Sequence, residues 1–512
     1  MKMNRFTICL AAGLLLAWPL HAKPALAAGG VVGNGTPASC TETAFDTVFF
    51  NAQTTGGGVI TFNCGASPYA IVLSAYKPVN ANTEIHGNNL ITLSGGNNTT
   101  LFQVSFGKQF KLTNITLTRA YGYLGAIENF GTTRIEGSRL VSNTATGSGG
   151  AVVNHGDLVV LNSTIAYNES KDAGGGIYSD GGTVIVRNSQ FTGNYTVNEG
   201  GGILVRDGSV ANIDASQFTQ NKATYVFAEG GAIGSRSTFT VTNSIFAQNN
   251  SSRGGAVSVI GGTASVSRTL FNGNWGAYGG AIRQSSGLLN VTDSTFAGNG
   301  VAPNGAKVTT GGGALSWGDG SANLTNVTMS NNWASYGGGF DHENGTTNLV
   351  NVTFSGNGSV SGSAFDTGGG TINLLNATIL NNSMMFAAGG ILSNRPGAVV
   401  NVKNVLLSNP GYKNCYAAIP SATFSFSSDN TCGFGTNRDN VKLPFGPLSN
   451  NGGGMLTHMP LPGNPGIDAG SSCPSTDQRG VTRAKGLACD AGAVEYEPGG
   501  VTPWQNVPLV LR

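Results

Sequence analysis

Aromatic side chains recur at one place in a repeating phrase of this chain, and of all its residues they are the best suited to recognition. Tyr195 follows Asn194, Trp275 and Tyr278 follow Asn274, and Trp333 and Tyr336 follow Asn332. A flat ring with a polar edge stacks on the apolar face of a sugar or another amphipathic ligand, so these five are the candidate ligand-binding residues. Trp275 and Trp333 fall two repeats apart, about 10 Å along the stack if each repeat advances one strand spacing, near the span of two sugar units. The repeat between them is longer than its neighbours around 300–310, and the extra residues are expected to form a wall beside this surface.

Acidic residues offer a second chemistry. Glu128, Asp157, Asp180, Asp207, Asp319, Asp341, Glu343 and Asp366 gather loosely after the repeated phrase. A glycoside hydrolase needs two carboxylates about 5–10 Å apart across the scissile bond, and a lyase needs a base beside a cation. Neither an Asp-Asp pair nor a Gly-His-Gly string occurs, Asp341-His342 reads as the start of a turn, and Arg395-Pro396 lacks a second arginine downstream. No catalytic residue is therefore assigned. Asp before Gly is ordinary turn chemistry. Because the offsets of these acids vary between repeats, no metal ligands are assigned; Ca²⁺ is a candidate ion only, and no other cofactor is expected.

What must position these side chains is a repeat. A phrase of small residues ending in an apolar one reads LGAI at 124–127, GGAV at 149–152, GGGI at 174–177 and 200–203, and so on to AGGI at 388–391, mostly at steps of 25 or 26 residues. A second phrase, an apolar residue with Asn three places later, keeps step with it, as in Phe191/Asn194, Phe218/Asn221, Phe246/Asn249 and Phe271/Asn274. Alternating runs such as Val184-Ile185-Val186-Arg187-Asn188 precede it and read as strands with one buried face. A 25-residue unit without a helical segment is too short for a propeller blade and excludes leucine-rich and ankyrin repeats. The fold class expected is all-β: a right-handed parallel β-helix of about 12 coils with three short strands per coil, roughly 55–60 Å long at one strand spacing per coil. Equivalent asparagines are expected to hydrogen-bond along the axis as a ladder.

The 79 glycines and the 10% of charged residues fit such a solenoid; no Gly triplet supports collagen, and 39% hydrophobic residues argue against disorder. Residues 1–27 read as a signal peptide: Lys2 and Arg5, an apolar run from Ile8 to Leu20, then Ala25-Leu26-Ala27. Its removal leaves 24 basic against 25 acidic residues with no basic cluster, which argues against nucleic acid as a partner. No later segment is apolar enough to span a bilayer. Six cysteines remain, none between 65 and 414. In an oxidising compartment their closeness in sequence favours Cys40–Cys64, Cys415–Cys432 and Cys473–Cys489, bonds that would close the two open ends of the solenoid. The expected organisation is an N-terminal cap with first coils at 28–123, repeats at 124–409, a C-terminal cap at 410–496 and a tail at 497–512.

The paired phrases over 124–391 resemble the repeats of the polymorphic outer-membrane protein family, whose passengers are β-helical surface adhesins. The chain departs from that family in lacking, after 391, the strands of an outer-membrane barrel. The C-terminal part resembles the choice-of-anchor Q domain. The matching residues include Ser428-Asp429-Asn430-Thr431-Cys432, Asn451-Gly452-Gly453, Ile467-Asp468-Ala469-Gly470, Asp477-Gln478-Arg479-Gly480, Arg483, Cys489-Asp490 and Glu495. The resemblance implies a secreted or cell-surface β-helix protein, often with a terminal sorting device, for which the tail is the candidate. Two functional classes follow. One is a binding, adhesin-like or structural module toward glycans or surface and matrix components. The alternative is a polysaccharide lyase or hydrolase of the pectate-lyase-like β-helix class.

Overall fold

The computed structural model describes residues 29–206, 208–300, 310–385, 391–394 and 397–497. The expected signal peptide and the tail beyond 497 lie outside the described residues. The chain is nearly all β, 45% strand and 4% helix, and winds into a parallel β-solenoid of about 13 turns. One sheet has 25 strands, a narrow sheet has 13, and short sheets of five and three strands line the third side.

One coil shows the plan. Ile177–Ser179 lies in the narrow sheet, Thr183–Arg187 and Gln190–Thr192 lie in the large sheet, and Tyr195–Thr196 lies in the five-stranded sheet. Each residue pairs with its counterpart one coil on: Ile177 with Ile203, Phe191 with Phe218, Tyr195 with Lys222. Identical side chains therefore stack. Phe191, Phe218, Phe246, Phe271 and Phe296 form an interior pile with ring centroids 4.8–4.9 Å apart, and each buries a full aromatic surface.

Beside that pile the expected asparagine ladder runs from Asn143 to Asn409. In each rung, Nδ2 donates to the Oδ1 of the next asparagine, as from Asn249 to Asn274 at 2.9 Å and from Asn274 to Asn299 at 3.0 Å. The same Nδ2 also donates to a carbonyl one coil back, Phe246 O for Asn274 at 2.8 Å. The backbone N–H of Asn249 donates to Asn274 Oδ1 at 3.0 Å. The amide thus satisfies a corner of the coil where the backbone ladder is interrupted.

The repeated Gly-Gly has two separate causes. Gly174 adopts φ +64°, a left-handed conformation that is cheap only without a Cβ. A Cβ on Gly175 would sit 2.4 Å from the carbonyl oxygen of Gly201 in the next coil.

The early coils carry four short strands rather than the three expected. The large-sheet strand bends at a residue in the left-handed region, Asn188 and Ala215 at φ +48° and Asn243 at φ +50°, and the serine that follows it belongs to an interior hydroxyl column. The N–H groups of Ser163, Ser189 and Ser216 donate to the Oγ atoms of Ser189, Ser216 and Ser244 at 3.1–3.2 Å. The hydroxyl takes the hydrogen that the neighbouring carbonyl would accept. The strands run unbroken over ten residues from Leu288–Ala297, the coil of Ser294, onward, and after Ser294 the column becomes Val327, Val352, Ala377 and Val405.

The N-terminal end is closed by the helix Glu42–Thr54, capped by Thr41 accepting from Ala44 N, with Phe45, Phe49 and Ala52 buried against the first coil. The three expected disulfides are present, with Cα–Cα distances of 5.6, 4.9 and 6.4 Å. Cys40–Cys64 staples the helix end, and Cys415–Cys432 lies at the other. The segment after 441 extends from that end along the side of the solenoid. It folds back along the flank of the last coils: Leu456 O accepts from Thr328 Oγ1, Gln478 meets Thr328 and Thr353, Ser355 meets His458, and Ala493 N donates to Thr378 Oγ1. Cys473–Cys489 and the buried pairs Arg479–Asp477 and Arg483–Glu495 hold this flanking segment together. No helix among the described residues is long and apolar enough to cross a membrane.

Candidate functional site

Coil stacking places the five aromatics in two columns. Tyr195 pairs with Lys222, which continues through Asn250 to Trp275. Gly300 occupies the next place, its N–H donating to Asn274 O, and Trp333 follows, its N–H donating to Asn299 O. The second column reads Tyr278, Gly311, Tyr336. The two Trp/Tyr pairs therefore stand two coils apart with glycine between them in both columns. They lie in or beside short strands rather than in turns, and this is why Tyr195, Trp275 and Trp333 are half-buried while Tyr278 and Tyr336 are exposed. Residues 301–309, the expected wall, lie outside the described residues.

A second set was not singled out from the sequence. On the outer face of the narrow sheet, arginines meet aromatic rings three times. Arg206 Nη1 donates to Tyr178 OH at 3.2 Å, Arg253 lies over Phe227 at 5.0 Å, and Arg283 lies over Tyr278 at 5.2 Å. Two carboxylates lie among them. Glu199 accepts from Arg236 Nε at 3.2 Å, and Glu229 accepts from Arg253 Nη1 at 3.1 Å and from Ser258 Oγ. Burial pushes the Glu229 carboxyl above its ordinary range, against the pull of Ser258 and Arg253. Tyr225, Val226 and Phe227 project beside this cluster at 54–70% exposure, on a turn that lengthens its coil. Writing the coils one above another and reading down the columns is the signal that would have found these residues.

The acids singled out earlier do not converge as a group. Glu128, Asp341 and Asp366 share the outward column of the narrow sheet, but only Asp341 and Asp366 are direct neighbours. Asp366 is buried, with Ser361 Oγ at 3.5 Å. Arg283 and Ser316 precede them in the same column. Asp341-His342 does not open a turn: Phe340–His342 is a strand, and alternation sends His342 inward. The His342 ring is fully buried, with Nδ1 near Thr367 Oγ1 and Gly369 O, and burial lowers its pKa to about 4. An inward, neutral imidazole performs no surface chemistry. Asp207 and Arg395 lie outside the described residues. Among the described residues no group of three or more His, Cys, Asp or Glu side chains is placed to hold a metal.

No family model, curated protein or solved structure matches this chain. Its functional reading rests on its own residues.

Proposed function

We propose that this protein is an exported, surface-acting solenoid that binds glycans or glycan-bearing surfaces through its aromatic edge. The observation that carries the reading is the repetition of one Trp/Tyr pair, Trp275 with Tyr278 and Trp333 with Tyr336, in the same two columns two coils apart. The Tyr278 and Tyr336 rings are 37% and 45% exposed, on a rod whose core is already filled by phenylalanines. Three disulfides suit an oxidising compartment, and the choice-of-anchor Q resemblance points the same way. The test is the double substitution Trp275→Ala/Trp333→Ala, screened on immobilised glycans and matrix proteins. Binding should fall to background while thermal unfolding stays close to wild type; loss of folding without a separable loss of binding overturns the reading.

One observation favours the enzyme alternative. Asp341 and Asp366 stand one strand spacing apart, in a column that also carries Arg283, and paired carboxylates of about that separation serve retaining hydrolases. Release of reducing ends or unsaturated products from a polysaccharide panel, abolished by Asp366→Asn, would establish it; intact polysaccharide at high protein concentration would dismiss it.

A further inference from the structure

The three arginine–aromatic contacts on the narrow sheet have a charge imbalance. Arg236 and Arg253 are paired with Glu199 and Glu229. Arg206 and Arg283 form no ion pair among the described residues. Arg206 is exposed, and its neighbour Tyr178 OH lies at 3.2 Å. Arg283 lies half-buried on Tyr278, and its Nε has no hydrogen-bond partner among the described residues. The two arginines are three coils apart, since Val205 stacks on Ser235, Val259 and Gln284 in turn; that is about 14–15 Å at one strand spacing per coil.

Ring faces and guanidinium groups in one row ask for a ligand that offers both ring faces and anions. A neutral glycan satisfies only the rings. A guanidinium binds a carboxylate through two parallel hydrogen bonds and stacks on a ring without losing them. We propose that the outer face of the narrow sheet binds an acidic polysaccharide lying along the solenoid axis. Its uronate rings pack on Tyr178, Phe227 and Tyr278, and its carboxylates pair with Arg206 and Arg283. This rests on the glycan-binding reading above and names the class of glycan. Glu199 and Glu229 do not repel such a ligand strongly, because each is already neutralised by its own arginine.

The experiment titrates the protein with alginate, with carboxyl-reduced alginate (same backbone, no charge) and with single-stranded DNA, at two salt concentrations. Wild type should bind alginate more tightly than the reduced polymer. Arg206→Gln/Arg283→Gln should weaken alginate binding roughly tenfold or more while leaving the reduced polymer unchanged, and Arg206→Lys/Arg283→Lys should restore part of the loss as a point charge without the fork. Arg206→Gln alone, at an exposed site, keeps the test open if the double variant unfolds. Equal binding of the two polymers, unchanged alginate binding in the Gln variants, or displacement of alginate by an equal charge of DNA each overturns the acidic-glycan assignment. If a neutral glycan is still bound through Trp275 and Trp333, the broader reading survives that result; if wild type binds no glycan, both fall.

Discussion

The early coils and the last coils solve the same packing problem differently. Between Ser163 and Ser244 an interior column of serines accepts backbone hydrogen bonds from the coil before. From Val327 to Ala377 the same column is apolar and the backbone pairs with itself. The outer faces differ too. Gln190 is exposed and Gln217 part-exposed, whereas Thr328, Thr353 and Thr378, at equivalent places in later coils, are buried beneath the returning C-terminal segment. The contrast teaches that the repeat specifies where a side chain stands, while its neighbours decide whether it meets water, a hydroxyl or another segment. The asparagine ladder runs through both regions unchanged, which makes it the common frame.

The largest expected effect falls on one region only. Arg479 and Asp477 are paired with side chains 1% and 0% exposed, and Arg479 also donates to Glu495 O. Removing one partner of a buried pair strands the other, at about 3–5 kcal/mol. Arg479→Ala should therefore strip hydrogen-exchange protection from 441–496 and from the flank they cover, while coils 127–272 keep theirs. Protection lost evenly along the rod would show that the two regions unfold as one.

A pH test separates them next. His342 lies in the covered coils with its pKa lowered to about 4 from an ordinary 6.5, because burial disfavours the imidazolium. The unfolded chain therefore takes up this proton first on acidification. The contribution is complete above pH 6.5 and is lost as the pH falls through 4, amounting to about 3 kcal/mol at the low end. His342→Gln should flatten the stability profile between pH 6.5 and 4, read by urea unfolding at each pH. An unchanged slope would place the titration elsewhere. Asp490, raised to about 6 by burial in the flanking segment, has the opposite sign: its contribution is present below the unfolded pKa and is lost as the pH rises through 6.

If the ladder is a common frame, Asn274→Ala and Asn357→Ala should cost the same, about 1–3 kcal/mol each, by leaving buried amides and carbonyls without partners. Unequal costs would mean that the flanking segment carries load the open coils must bear alone.

These differences bear on what the sequence disclosed. The solenoid, its step and the ladder were legible because one residue type returns to one place, as Asn and Phe do. The disulfides were legible because each pair is close in the chain. The arginine row was not: Arg206 follows a strand, Arg253 precedes the glycines and Arg283 lies mid-strand, so no single offset links them. Tyr225–Phe227 also sit on an added turn that breaks the step. The flanking segment was hidden for another reason. Thr328 and Thr353 look like any solvent-facing threonine, and their partners Leu456 and Gln478 are more than a hundred residues away. The inward face of His342 is hidden in the sequence because Asp341-His342 reads as the start of a turn, whereas the strand runs on through Phe340–His342.

The smallest effect tests the serine column itself. Ser189 N donates to Ser216 Oγ at 3.2 Å, and that hydroxyl donates on to Asp214 O at 2.8 Å. Ser216→Ala removes the acceptor and leaves the Ser189 N–H buried without a partner, at about 1 kcal/mol. Ser216→Val removes it too, but recreates the arrangement of Val352, where the backbone closes its own ladder and the methyl groups fill the column. Valine should therefore recover much of what alanine loses, and exchange at the Ser189 amide should be slower in Ser216→Val than in Ser216→Ala. The stability difference is read by denaturant midpoint at constant m-value. If valine is as damaging as alanine, the column at Ser216 does not admit a branched apolar side chain, although the residue before it is left-handed in both regions, φ +48° at Ala215 and +52° at Asn351.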